Sequence, residues 1–149
     1  MGQAKPDGMK RYLRWAVALA AAGFGFSGYL SASRMVSGVC AFSEPCPFFL
    51  GHPACYYGFA LFAVLLAISV FGWAARTERS WPAIANALVS TAGVLFAGRL
   101  AVVELAAGGR YAMILPTCAW GFLFFVAMLV WSLRAWVLGT VRRAADGLR

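Results

Sequence analysis

The sequence predicts an all-α integral membrane protein: a four-transmembrane-helix bundle made of two parallel two-helix repeats, with both termini cytoplasmic. Three observations carry that expectation. Apolar residues make up 62% of the 149-residue chain and charged residues 12%, far from the balance of a soluble domain of this length. Four runs are long enough to cross about 30 Å of hydrocarbon as helices: Trp15 to Ser33, Cys55 to Ala75, Pro82 to Leu105 and Cys118 to Leu138. Finally, a short string occurs twice, each time opening an apolar run: Pro53-Ala54-Cys55-Tyr56-Tyr57-Gly58-Phe59 and Pro116-Thr117-Cys118-Ala119-Trp120-Gly121-Phe122.

The first span follows a basic stretch, Lys5, Lys10, Arg11 and Arg14. That combination superficially resembles a signal peptide, but the apolar run continues to about Ser33 and has a counterpart later in the chain, so an uncleaved signal-anchor is expected. The connector after it holds Cys40, Cys46, Pro45, Pro47 and Pro53, and cannot be one continuous helix. Span two opens on Pro53-x-Cys55, with proline as a good helix start. Arg76 and Arg79 separate spans two and three. In span three, Gly93 and Gly98 repeat the spacing of Gly23 and Gly28 in span one, in similar small-residue surroundings suited to close helix contact. Span four opens on Pro116-x-Cys118, and a basic cytoplasmic tail, 139–149, closes the chain.

The whole chain, 1–149, is thus a single membrane domain, with repeat one at about 12–75 and repeat two at about 82–138. Gly23 to Cys55 is 32 residues and Gly93 to Cys118 is 25, so the first copy carries a longer connector. Each repeat has an even number of spans, so the second re-enters with the same orientation. A pseudo-two-fold along the membrane normal is expected, not an inverted repeat. The positive charges lie before span one, between spans two and three, and from Arg134 to Arg149, which puts both termini in the cytoplasm. Topology therefore accounts for the net charge of +8, and no basic, aromatic-interleaved soluble module for nucleic acid is present. Trp73, Trp81, Tyr111, Trp120 and Trp136 fall near span ends, as interfacial belts do.

On this topology all four cysteines face the extracytoplasmic side. In a bacterial plasma membrane, the expected location, disulfides persist there. Four cysteines allow three pairings, and locality favours Cys40 with Cys46 in the loop and Cys55 with Cys118 across the repeat axis. The second pairing requires Cα atoms within about 7 Å; the competing reading takes Cys55 and Cys118 as small buried residues. A cysteine in the first turn of a helix faces unpaired backbone amides, which favour thiolate, the species disulfide exchange uses. The loop pair is either a structural staple or a carrier of electrons to the second pair.

Arg99 lies about 7 Å outward of the middle of span three, where a cation is a functional candidate: it would stabilise a thiolate or bind the carbonyl of a quinone, unless it snorkels to the interface. Glu104 and Arg34 are counterparts under the repeat and are candidates for an ion pair locking the two halves. His52, three residues before Cys55, is placed to take a proton during exchange, or else is a solvated bystander. The chain has no dinucleotide fingerprint or phosphate loop, so electrons leaving a cysteine pair need a lipid-soluble acceptor. Phe48, Phe49, Tyr56, Tyr57 and Trp120 are candidates to line its pocket, or ordinary packing residues.

The layout resembles the four-helix thiol oxidoreductases of the vitamin K epoxide reductase and DsbB type. The resemblance rests on Cys40-x5-Cys46, on Gly51-His52-Pro53-x-x-x-x-Gly58 entering span two, and on Cys118 entering span four. It implies that Cys40 and Cys46 are a shuttle pair exchanging with an extracytoplasmic thioredoxin-like protein. It also implies a second pair beside a quinone, ubiquinone or menaquinone; by the residue reading above, Arg99, His52, Tyr57 and Trp120 are the candidates to bind it. The chain departs from that family in having no Cys-x-x-Cys, since Cys118 is followed by Ala119, Trp120 and Gly121, and Cys55 stands alone at the start of span two. Cys55 and Cys118 would then be a pair split between the repeats. Two other classes compete: a carrier of soft metal such as copper or mercury, using Cys55, Cys118, Met35, Met113 and His52, and a non-catalytic membrane subunit with structural disulfides.

Overall fold

In a computed structural model, which describes residues 7–38, 48–77, 79–106 and 116–146, the chain is an antiparallel bundle of α1 (Asp7–Ser37), α2 (Ala54–Ala74), α3 (Trp81–Ala106) and α4 (Thr117–Asp146). A small hairpin, β1 (Phe48–Phe49) and β2 (His52–Pro53), precedes α2. All four helices are long and apolar enough to cross a membrane. Their outward faces are apolar too, with Val64 and Phe71 on α2 and Leu88, Leu95 and Val102 on α3 exposed. Such a surface suits lipid, and the chain reads as a multi-pass membrane protein.

Around the bundle α1 neighbours α2 and α4, and α3 neighbours the same two helices, so α1 faces α3 and α2 faces α4 across the diagonals. The tightest seams are α1 with α2 and α3 with α4. Glycine is why. A Cβ built on Gly23 would stand 2.3 Å from the Phe62 ring, and one on Gly93 would stand 2.3 Å from the Phe125 ring. Gly28 and Gly98 receive Phe59 and Phe122 in the same way, at 3.2 and 3.1 Å. Residues seventy positions apart in α1 and α3 thus meet residues sixty-three positions apart in α2 and α4.

The two halves join through the rings that the glycines admit. Phe62 and Phe125 stack at the bundle centre with centroids 4.2 Å apart and planes 9° apart. Equivalent residues in face-to-face contact lie where a two-fold axis would run. With lipid as apolar as the core, this close van der Waals fit is what holds such helices together.

Two helices run past the ends of their apolar runs. The sequence starts span one at Trp15, yet α1 begins at Asp7. Tyr12 and Leu13 are buried and Met9 packs beside them, while Lys10, Arg11 and Arg14 point outward. The charges are one face of an amphipathic first turn and not a break. Likewise the tail expected at 139–149 is helical to Asp146, because α4 runs on through Gly139, with Thr140 Oγ1 donating to the Val137 carbonyl at 2.8 Å. α2 stops cleanly instead. Arg76 takes φ 47°, its amide bonds the Trp73 carbonyl, and Thr77 bonds the Gly72 carbonyl, the paired capping pattern of a Schellman turn.

At the end of the bundle far from the cysteines, all four helices contribute to a buried polar clasp. Asn86 donates to the Tyr12 hydroxyl and to Ser69 Oγ, both at 3.0 Å, and Tyr12 OH shares a hydrogen bond of 2.9 Å with Ser132 Oγ. Asn86, Ser69 and Ser132 are fully buried. Ser69 and Ser132 are repeat equivalents, but Tyr12 and Asn86 correspond to Pro82 and Ala16, so the clasp is asymmetric. Asn86→Ala removes two hydrogen bonds and is expected to cost about 1–2 kcal/mol, read as a lower thermal midpoint in detergent with unchanged alkylation of the distant cysteines.

Candidate functional site

The candidate site is the opposite end, where α2 and α4 begin. Cys55 and Cys118 are each the second residue of their helix. Pro53, with φ −58° and ψ 136°, caps α2 without a side-chain hydrogen bond, and Pro116 is buried at the start of α4, its carbonyl accepting from the Ala119 amide at 2.9 Å. Proline fits there because it has no amide hydrogen to lose. Both cysteines are half-buried. Cys55 stands seven residues before Phe62 and Cys118 seven before Phe125, so each lies two turns along the same helix face as the stacked rings.

The pairing expected from locality is not formed. Cys55 and Cys118 are separate thiols with no disulfide between them. The reason lies in the bundle order. α2 and α4 are diagonal neighbours separated by the Phe62 and Phe125 rings, whereas a disulfide needs the two backbones within about 7 Å. Cys40 and Cys46 lie outside the described residues, in the segment between Gly38 and Phe48, both of whose ends are at this end of the bundle.

The hairpin is a feature the sequence did not announce. Phe48 pairs with Pro53 and Phe49 with His52, around a two-residue turn at Leu50 and Gly51 with φ 49° and 80°. A two-residue turn with positive φ at both central positions asks for a conformation that glycine takes freely and leucine rarely. The hairpin is held against the helices. Phe49, Tyr57 of α2 and Phe96 of α3 form a triangle of rings with centroids 5.3 to 5.6 Å apart, and Tyr57 OH donates to the Phe49 carbonyl at 3.1 Å. His52 is exposed, with Nδ1 3.2 Å from the Leu50 carbonyl oxygen.

The four residues expected around a quinone divide between two places. Tyr57 and His52 belong to the α2–α3 side, and Arg99, three residues beyond Phe96 on α3, is exposed. Trp120 is on α4, 36% exposed, away from that seam. Arg34 and Glu104 also occupy separate settings. The Arg34 guanidinium donates to the Gly38 carbonyl and lies 5.7 Å over the Phe48 ring, while Glu104 is buried in α3.

Sequence reading missed Tyr12, Ser69, Asn86 and Ser132. The available signal was polar residues placed among apolar ones at helical spacing, with two of the serines at repeat-equivalent positions. Comparison of the chain with protein-family models, with curated proteins and with solved structures finds no match to any of the three.

Proposed function

We propose that the protein is a membrane thiol-disulfide oxidoreductase that relays electrons from an extracytoplasmic thioredoxin-like protein to a membrane quinone. One observation carries the reading: two half-buried thiols occupy the same second position of two equivalent helices, at the end of the bundle to which the Cys40–Cys46 segment is tied. Partly exposed sulfur in a first helical turn is the setting in which cysteine is reactive and not merely packed. The placement proposed with it is a bacterial plasma membrane with both termini cytoplasmic, so that this end faces the oxidising side.

The relay runs in two exchanges. The partner's dithiol reduces the Cys40–Cys46 disulfide and becomes a disulfide itself. The freed Cys40 and Cys46 thiols then open a Cys55–Cys118 disulfide and close on each other again, leaving Cys55 and Cys118 as the thiols seen in the structure. Closing that pair requires α2 and α4 to approach at their cysteine ends. A quinone supplies a two-electron, two-proton acceptor that regenerates the disulfide. The residues present suit one: the Phe49, Tyr57 and Phe96 rings offer flat apolar surface, and Arg99 stands exposed three residues beyond Phe96 on α3.

Differential alkylation and peptide mass spectrometry test the proposal on protein extracted without reductant. A Cys40–Cys46 and a Cys55–Cys118 disulfide are expected, the second lost on adding a thioredoxin-like dithiol protein and restored by a soluble ubiquinone analogue. Four thiols that remain free under oxidant and bind copper stoichiometrically would replace it with the metal-carrier reading.

A further inference from the structure

The polar clasp at the end of the bundle far from the cysteines leaves hydrogen-bonding atoms unspent. We propose that it holds one buried water molecule, bound between the Asn86 side-chain amide and Ser90 Oγ, both on α3. The site stands apart from the thiol chemistry and does not rest on it.

Its place follows from the register of the helices. Asn86 bonds Ser69 of α2 and Tyr12 of α1, and Tyr12 bonds Ser132 of α4, so the four residues form one layer. One turn toward the bundle centre, four residues back in α2 and α4 and four on in α1 and α3, stand Leu65, Met128, Ala16 and Ser90. None of these is more than 1% exposed. Beyond them are the stacked Phe62 and Phe125 rings. Ser90 thus carries the one hydroxyl in a layer otherwise of alanine, leucine and methionine. Asn86, four residues earlier, lies on the same face of α3.

Both residues are fully buried, and Asn86 Oδ1 and Ser90 Oγ have no hydrogen-bond partner among the described residues. Ser27 spends its hydroxyl on the Gly23 carbonyl at 2.8 Å, the usual refuge of a helical serine. Ser90 does not use the Asn86 carbonyl in that way. Leaving two such groups bare in one interior costs free energy that a shared partner removes. The repeat supplies a comparison, because the equivalents of Asn86 and Ser90 are Ala16 and Ala20, both 0% exposed. Methyl groups therefore satisfy packing at these positions in one half, and the other half carries a hydrogen-bonding pair.

The hydrogens of the clasp identify the partner. Its three bonds use both amide hydrogens of Asn86 and one hydroxyl hydrogen of the Tyr12–Ser132 pair. The other hydroxyl hydrogen of that pair remains, with those of Ser69 and Ser90, facing a bare amide oxygen. Water is the complement. It donates to Asn86 Oδ1 and accepts from Ser90, with a second lone pair for a clasp serine. Turning the amide round does not remove the need: Oδ1 would accept from Tyr12 and Ser69, and the bare end would then be the amide hydrogens, from which the same water accepts. The span suits one molecule, since Cβ atoms four residues apart on a helix are about 5–6 Å apart. Two hydrogen bonds of about 2.8 Å through one water oxygen bridge side chains at that separation. A cation suits it less, because these five residues include no carboxylate and a full charge costs far more than a neutral dipole in an apolar interior.

Crystals of the full-length protein grown from a lipidic mesophase test the site, with thermal unfolding in detergent micelles beside them. An ordered oxygen is expected about 2.8 Å from both side chains, and absent from Ser90→Ala. Ser90→Ala is expected to fold, as Ala20 does at the equivalent position, and to lower the thermal midpoint by a few degrees because the water loses a partner. A hydroxyl with no partner gives the opposite sign, since its removal relieves a buried unpaired group. Density showing no atom between the two side chains, or an unchanged or raised midpoint in Ser90→Ala, overturns the proposal. An atom contacted by four or more oxygens, with a midpoint that rises when sodium chloride replaces choline chloride, overturns it in favour of a bound cation.

Discussion

Gly93→Ala and Gly23→Ala are expected to destabilise the bundle more than any other single-methyl addition, each by about 1–3 kcal/mol, the range for overpacking a filled interior. The added Cβ would stand 2.3 Å from the ring of Phe125 or Phe62, a separation that forces something to move. Neither ring has room to yield, because the two are stacked on one another at 4.2 Å. The strain in one repeat is therefore passed directly to the other, and the two substitutions together are expected to be worse than additive. Gly25→Ala is the control. Nothing lies within 4 Å of its built Cβ, and it should leave the thermal midpoint unchanged or slightly raised. Gly93→Ala combined with Phe125→Leu should recover part of the loss, since the smaller side chain vacates the space the methyl needs. Thermal unfolding in detergent micelles measures all five variants.

Cys55→Ser is expected to abolish quinone reduction driven by a dithiol partner, to the rate of the partner and quinone alone, and Cys118→Ser to do the same. Serine matches cysteine in shape at these half-buried helix starts, so folding should be preserved. It cannot form the sulfur–sulfur bond that the proposed relay requires. Turnover of partner dithiol and ubiquinone analogue by each variant measures the loss. Full activity in either variant would remove the cysteines from the chemistry.

Much of the architecture was legible in the chain. Four apolar runs became α1 to α4, and the recurrence of Gly23 and Gly28 as Gly93 and Gly98 is realised as two equivalent glycine–phenylalanine seams. The Pro-x-Cys strings do open helices. These features are legible because hydropathy, proline and glycine act through the backbone within one or two turns. The helical reach of residues 8–14 was not, since Lys10, Arg11 and Arg14 lower the local hydropathy while Tyr12 and Leu13 between them are core residues. The hairpin escaped notice for another reason: Leu50-Gly51 is a poor turn dipeptide, stabilised by the docking of Phe49 on Tyr57 and Phe96 and not by local preference.

The cysteines show the same division at the site. Sequence alone determined that Cys55 and Cys118 occupy equivalent positions, because a repeated string folds into a repeated local structure. It also determined that the helices carrying them are apolar enough to cross a membrane. Only the tertiary structure decided that those helices are diagonal, with stacked Phe62 and Phe125 between them, so that the two sulfurs stand apart as thiols. Which helices are neighbours, and at what register, depends on how side chains from distant parts of the chain fill shared space. No local pattern records that.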